Sequence, residues 1–189
     1  MFQIRIHGRG GQGVVTGAEL LSIAAFLEGR HSQAFPSFGS ERMGAPVVAF
    51  CRIADHEIRL REPVMSPDAI LVQDPTLLHQ VDLFRGLSAS GIVLVNSGKN
   101  LNELGLAEFS ENHPVYCLPA TEIALEHIGR PLPNSALLGG FAAFSGQIGI
   151  DSLEKAIGEK FKGKTGQDNR AAARAAFDHV KEIMHAATA

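Results

Sequence analysis

The first twenty residues constrain the fold most. An apolar run, 2-FQIRI-6, leads into 8-GRGGQG-13, and the chain continues as 14-VVTGAELL-21 with apolar residues at helical spacing. A strand, a glycine loop and a helix in that order open many α/β folds. Gly8, Gly10 and Gly13 fit G-x-G-x-x-G. Such glycines allow positive φ and let a phosphate approach backbone N–H groups at a helix N-terminus. A dinucleotide site also needs an acid about 20 residues on, at the end of the second strand, to hold the ribose hydroxyls. The expected second strand, 31-HSQAF-35, carries none, and Glu28 falls too early. The Lys-Ser/Thr pair of a P-loop is absent as well. Three readings stay open: an NAD site, a phosphate or other anion at the helix start beside Arg9, and a structural loop packed against a neighbouring chain. Arg9 and Gln12 serve any of them.

The rest of the chain alternates. Strands are expected over 2–7, 31–35, 46–54, 69–73, 91–96 and 114–119, and 56-HEIRL-60 reads as a further strand paired with 46–54 through a turn at Asp55. Helices are expected over 12–28, closed by Gly29, then over 75–87, 101–110, 121–128, 134–148, 151–161 and 168–186. Asn134 and Ser135 read as caps of the helix that follows them, and Asp168 or Asn169 as the cap of the last helix after the polar linker 162-KGKTGQDN-169. Short apolar runs such as 69-AILVQ-73 are the mark of buried parallel strands. The pattern predicts one domain over 1–189: a doubly wound, mostly parallel sheet with helices on both faces, Rossmann-like, with a helical C-terminal region.

Composition narrows the function classes. The 189 residues are 45% hydrophobic and 20% charged, with a net charge of −3, so no basic face announces nucleic acid. No apolar run reaches the roughly 18–20 residues of a membrane span, and no secretory signal is visible. The expectation is a cytoplasmic protein. Cys51 and Cys117 lie far apart, in no C-x-x-C pair. They read as structural thiols, because a cluster or structural zinc site needs about four ligands. The eight histidines are scattered, and no metal site or catalytic residue is assigned.

Five segments carry a resemblance: 7-HGRGGQGVVTGAELL-21, 33-QAFPSFGSERMGAPV-47, 73-QDPTLL-78, 96-NSG-98 and 133-PNSALLGGF-141. Taken in order, they closely resemble the γ subunit of the 2-oxoacid:ferredoxin oxidoreductase family, which includes pyruvate, 2-oxoisovalerate, 2-oxoglutarate, indolepyruvate and phenylglyoxylate oxidoreductases. The resemblance implies an enzyme that oxidatively decarboxylates a 2-oxoacid to its acyl-CoA and passes electrons to ferredoxin or, through a flavin subunit, to NAD. It implies α, β and δ subunits as partners. Thiamine diphosphate, 4Fe–4S clusters and coenzyme A belong to the complex, and none is held by this chain alone. The chain is expected to be inactive by itself. It would assemble with the catalytic subunits, with a contribution to binding coenzyme A or closing the active site left open. The alternative is a free-standing nucleotide-binding protein or NAD-dependent oxidoreductase using the loop at 8–13.

Two groups of residues follow as candidates. Gly8, Arg9, Gly10, Gly11, Gln12 and Gly13 are candidate cofactor-binding residues, with Asn96 and Ser97 because ligands of open α/β sheets lie beyond the C-terminal strand ends. Asp74 and Pro75 follow their strand in the same way. The loop 35-FPSFGSERMGAP-46 sets Phe35, Phe38 and Met43 among turn residues, so these are expected to pack on a partner, with Glu41 and Arg42 forming ion pairs across that interface.

Overall fold

The computed structural model describes residues 1–37 and 43–188. Phe38, Glu41 and Arg42 of the expected interface lie outside the described residues. Six strands, β1 (Phe2–Arg9), β2 (His31–Pro36), β3 (Pro46–Ala54), β4 (Ala69–Val72), β5 (Ile92–Asn96) and β6 (Val115–Leu118), form one sheet in the order β2-β3-β1-β4-β5-β6. The helices are α1 (Val14–Leu27), α2 (Ala107–Ser110), α3 (Ala120–Ile128), α4 (Asn134–Ser145), α5 (Ile150–Lys160) and α6 (Gly163–Thr188). β1, β4, β5 and β6 run parallel, and β3 lies antiparallel between β2 and β1. The sheet is therefore mostly parallel and the fold is α/β, as the alternation predicts.

The period of two along each strand divides the sheet into unlike faces. Ile4 and Ile6 of β1, Cys51 and Ile53 of β3, Leu71 and Leu94 join α1, α4, α5 and α6 in the main core. Ile70, Val72, Val93 and Val95 point the other way, into a smaller core closed by Leu77, Leu83, Leu104 and Leu106. That second face carries only a 3-10 turn (Pro75–His79) and the short α2 beside loops. Over β1, β2 and β3 it turns polar. The guanidinium of Arg52, 1% exposed, donates to Gln3 Oε1 (3.0 Å), Gln33 Oε1 (3.2 Å) and the Glu62 carbonyl (2.6 Å) and lies over the Phe35 ring.

Several expected elements differ, each for a physical reason. Residues 56–60 form no strand, because β3 already pairs with β1 on one side and β2 on the other, leaving no free edge. The helix expected over 75–87 is only the 3-10 turn. Gly86 sits at φ 78°, and a Cβ there would meet the Met65 carbonyl oxygen. The helix expected over 101–110 is reduced to α2, since Gly105 at φ 70° interrupts it. α6 begins at Gly163, five residues before the expected cap. Asp168 instead pairs with Lys164, and Asn169 turns inward to accept from Ser135 Oγ (2.8 Å). Packing there outweighs the loop propensity of the polar run.

α4 is the buried centre of the helical layer. Every residue from Asn134 to Ala143 is buried. Gly139 lies against the α6 backbone so closely that a Cβ would stand 2.0 Å from the Ala173 carbonyl oxygen. Asp151 and Glu154 of α5 both accept from Arg174 of α6 at 2.7 Å, tying the outer helices together.

Candidate functional site

The sheet reverses its winding at β1. The chain leaves β1 through α1 toward the β2 side, and later β4 adds on the other side. Open α/β sheets bind ligands in the crevice at such a switch point, beyond the C-terminal strand ends. The glycine loop stands there, beside Gln73 and Asp74 after β4.

Three glycines in the loop have separate steric duties. Gly11 (φ 92°) and Gly13 (φ 76°) adopt the left-handed region that side chains avoid. Gly8 has an ordinary φ, but a Cβ there would stand 2.6 Å from a methyl of Val14. Gly13 begins α1, whose first turn has no side-chain cap. Val14, Val15 and Thr16 of that first turn line a cleft of about 330 Å3 together with Arg9, Gly10, Gly11, Gly13 and Val47.

Arg9 does not face that cleft as a free cation. Its Nε donates to Asp74 Oδ2 (3.0 Å), Nη1 to the Gly44 carbonyl (3.0 Å), and Nη2 to Thr76 Oγ1 (2.7 Å) and Gln80 Oε1 (2.9 Å). Gln12 works within the same knot: its Oε1 accepts from the Arg9 N–H (2.8 Å) and its Nε2 donates to Asp74 Oδ2 (3.0 Å). Burial alone would raise the Asp74 carboxyl. Hydrogen bonds from Thr76 and Gln12 and the charge of Arg9 outweigh it and hold the carboxyl below its usual range.

The chain fills part of the crevice itself. Gly10 donates to the Ala45 carbonyl (2.9 Å) and accepts from Gly44 (3.1 Å), and Met43 forms a bridge beside Gly10. β3 also separates β2 from β1, so the end of β2 lies two strands, roughly 10 Å, from the loop. Among the described residues, no acid at the end of β2 stands ready to anchor a dinucleotide ribose. Met43 is 88% exposed over Gly11, whereas Phe35 packs on Phe50 of its own sheet (5.2 Å between centroids).

Asn96 is buried and saturated. Its Nδ2 donates to the Gln73 carbonyl (2.8 Å) and Thr121 Oγ1 (2.9 Å), and its Oδ1 accepts from the Thr121 N–H (3.0 Å). It ties β5 to the start of α3. Ser97 Oγ accepts from the Lys99 N–H (3.0 Å). Both line a second cleft of about 430 Å3 with Lys99 and Glu122, so the structure separates them from the glycine loop.

The residue that sequence reasoning missed here is Asn134. Its helix is preceded by Pro133 and takes no side-chain cap, so neither Asn134 nor Ser135 has the expected capping role. Asn134 Oδ1 accepts from Gln73 Nε2 (2.8 Å), and its amide lies 3.3 Å from where a Gly13 Cβ would be and 2.7 Å from that of Gly17. Gly13 and Gly17 are thus glycine because Asn134 occupies the space beside them. The motif 133-PNSALLGGF-141 hints at this only as an unexplained polar pair before an apolar helix. Among the described residues, no group of three or more His, Cys, Asp or Glu could hold a metal ion, and no helix is long and apolar enough to cross a membrane.

Known proteins share the sequence and the arrangement. The family model described as pyruvate ferredoxin/flavodoxin oxidoreductase matches residues 3–179. A pyruvate synthase subunit PorC from Methanothermobacter marburgensis is 50% identical, covering 96% of this chain and 98% of its own. A pyruvate/ketoisovalerate oxidoreductases common subunit gamma from Pyrococcus abyssi is 47% identical with the same coverage. The crystal structure of pyruvate oxidoreductase subunit PORC from Thermotoga maritima superposes with a TM-score of 0.80 at 35% identity, over 94% of this chain and 95% of that one. A 2-oxoglutarate:ferredoxin oxidoreductase from Magnetococcus marinus, solved with 2-oxoglutarate, coenzyme A and succinyl-CoA bound, shares the fold (TM-score 0.72, 20% identity), and this domain covers 31% of that chain. With sequence and fold matched along nearly its whole length, the chain belongs to the pyruvate ferredoxin/flavodoxin oxidoreductase family, among its gamma-type subunits.

Proposed function

We propose that the chain is the γ subunit of a cytoplasmic, multi-subunit 2-oxoacid oxidoreductase. The complex converts a 2-oxoacid, coenzyme A and an oxidised acceptor into acyl-CoA, CO2 and reduced ferredoxin or a related acceptor. α, β and δ partners carry the thiamine diphosphate and the 4Fe–4S clusters. The observation that carries this reading is the 46–50% identity, over nearly full length, to subunits named as belonging to pyruvate synthases and pyruvate/ketoisovalerate oxidoreductases.

Within that complex the glycine loop contributes to coenzyme A, which supplies the acyl-accepting thiol when bound. The residues present fit one anionic group of it. An uncapped helix start offers the N–H groups of Val14, Val15 and Thr16 to an open cleft, and no Cβ at Gly11 or Gly13 obstructs the approach. A cleft of about 330 Å3 is at the small end for an organic ligand, so the remainder of the molecule lies against another subunit. Arg9 acts one step back: it locks the loop to Asp74 and Thr76 rather than meeting the ligand. Exposed Met43 beside the cleft is an interface residue in this reading.

Anaerobic affinity purification of the chain from its own cells, with iron, thiamine and 2-oxoacid-dependent dye reduction assayed in the eluate, tests the assembly. Recovery of the chain without thiamine- or iron-containing partners would reject it. Thr16→Glu in the active complex tests the loop. A carboxylate in the first turn suits the helix but repels an anion. The expected result is a KM for coenzyme A raised about tenfold, as for loss of one anion contact, with the KM for the 2-oxoacid unchanged. An unaltered KM for coenzyme A removes the loop from that role.

A further inference from the structure

Both ends of the glycine loop come to rest on one side chain from the far half of the sequence. Asn134 opens the buried helix α4 and is itself buried. Its amide stands where side chains at Gly13 and Gly17 would be: Nδ2 is 3.3 Å from a Cβ at Gly13, and Oδ1 is 2.7 Å from one at Gly17. The Gly17 N–H donates to the Gly13 carbonyl (2.9 Å). These two glycines are therefore the two ends of the first turn of α1, and Asn134 spans it.

At the start of the loop the contact runs through Gln73. Gln73 Nε2 donates to Asn134 Oδ1 (2.8 Å). The Gln73 Oε1 is buried without a hydrogen-bond partner and lies 3.0 Å from where a Gly8 Cβ would be. Among the described residues, the bond to Asn134 is thus the only hydrogen bond of the Gln73 side chain, and losing it would leave the whole buried amide unmatched. The base of Asn134 is fixed in turn. Ser135 Oγ donates to Asn169 Oδ1 (2.8 Å), and Asn169 Nδ2 donates to the Thr165 carbonyl (2.9 Å), which pins the start of α4 to α6. The knot of Arg9, Gln12 and Asp74 holds the partly exposed side of the loop, and Asn134 holds its core side.

We propose that Asn134 is the positioning residue of the glycine loop. It sets the first turn of α1 against the end of β4 and keeps the cleft at 9–16 in its anion-binding form before the ligand arrives. Such preorganisation removes an ordering cost from binding. Asn134 lies behind the cleft rather than in its lining, so it acts through Gly13, Gly17 and Gln73 and not by touching the ligand. The inference rests on the coenzyme A reading of the loop.

Asn134→Ala, Gly17→Ala and the double variant, made in the active complex beside Thr16→Glu, test this. Gly17→Ala favours the helix but pushes the Asn134 amide aside. Each single variant is expected to raise the KM for coenzyme A about fivefold, as for loss of one hydrogen bond, with kcat and the KM for the 2-oxoacid unchanged. The double variant has room for the new Cβ, so its thermal midpoint should recover from that of Asn134→Ala. Its KM should stay raised, because the Gln73 bond is still missing. Amide hydrogen exchange on the full chain reads the same effect without activity: Asn134→Ala should speed exchange over 10–16 and leave β5 as protected as before. An unchanged KM in both single variants, with a raised one in Thr16→Glu, would overturn the positioning role and leave the anion site standing. An unchanged KM in Thr16→Glu as well would overturn both. A double variant of normal KM, or exchange that rises equally in β5, would reduce Asn134 to packing and overturn the proposal too. If Asn134→Ala does not assemble, Gly17→Ala, which keeps Asn134, decides.

Discussion

Asp74 is the residue on which the loop architecture turns. Its two oxygens together take bonds from Arg9, Gln12 and Thr76, and the side chain is only 14% exposed. Asp74→Asn replaces one oxygen with a donor and removes the charge opposite Arg9. It is expected to lower unfolding stability by about 2 kcal/mol, read as a shift in the urea midpoint at unchanged m. A shift within experimental error would mean that the knot is idle. Thr76 is local, but the partners that close the knot are not: Arg9 and Asp74 are 65 positions apart, and Gln73 and Asn134 are 61. The sequence marks Arg9 and Gln12 as polar loop residues, but spacing alone does not say that they turn inward rather than toward a ligand.

Among the elements, α4 and α6 depend most on a single atom. Gly139 has no Cβ to hold the helices apart, and its neighbour is backbone, which cannot rotate away. Gly139→Ala is expected to cost about 3 kcal/mol or more, at the upper end of overpacking effects, seen as a lowered thermal midpoint. Gly158→Ala, at a position with no atom closer than 3.7 Å, is the control and should be close to neutral. A Gly139→Ala chain as stable as the control would show that the crossing is loose. Element existence was legible wherever periodicity was long, as in β1, α1 and α5. It was lost in 75–87 and 101–110, where Gly86 and Gly105 take positive φ inside an apolar pattern that otherwise reads as helix.

The pH response of stability belongs to the whole molecule, because the surroundings of the buried His7 come from segments far apart in the chain, β3 and the loops at 63–65 and 82–86 among them. Burial first, and then the charge of Arg5, depress its folded pKa from 6.5 to about 3. The unfolded imidazole takes up a proton near 6.5, whereas the folded one resists until about 3. Stability is therefore complete above 6.5 and declines as pH falls between those values, by at most about 1.4 kcal/mol per pH unit. Urea unfolding from pH 7 to pH 4 should show that slope, and His7→Met should flatten it. An identical slope in both chains would mean that His7 titrates normally in the fold.

By itself, the sequence determined the α/β class, the strand–loop–helix opening and the family, because periodicity and left-handed glycines are local properties and the motif run 33–47 is specific. Tertiary structure alone decided that β3 enters antiparallel between β2 and β1, that Met43 and Gly44 run alongside the glycine loop, and that Asn134 stands behind it. Periodicity tells which face of an element is buried and says nothing of which element it is buried against. The clamp of Arg9, the saturation of Asn96 and the unpaired His7 all arise from that second choice.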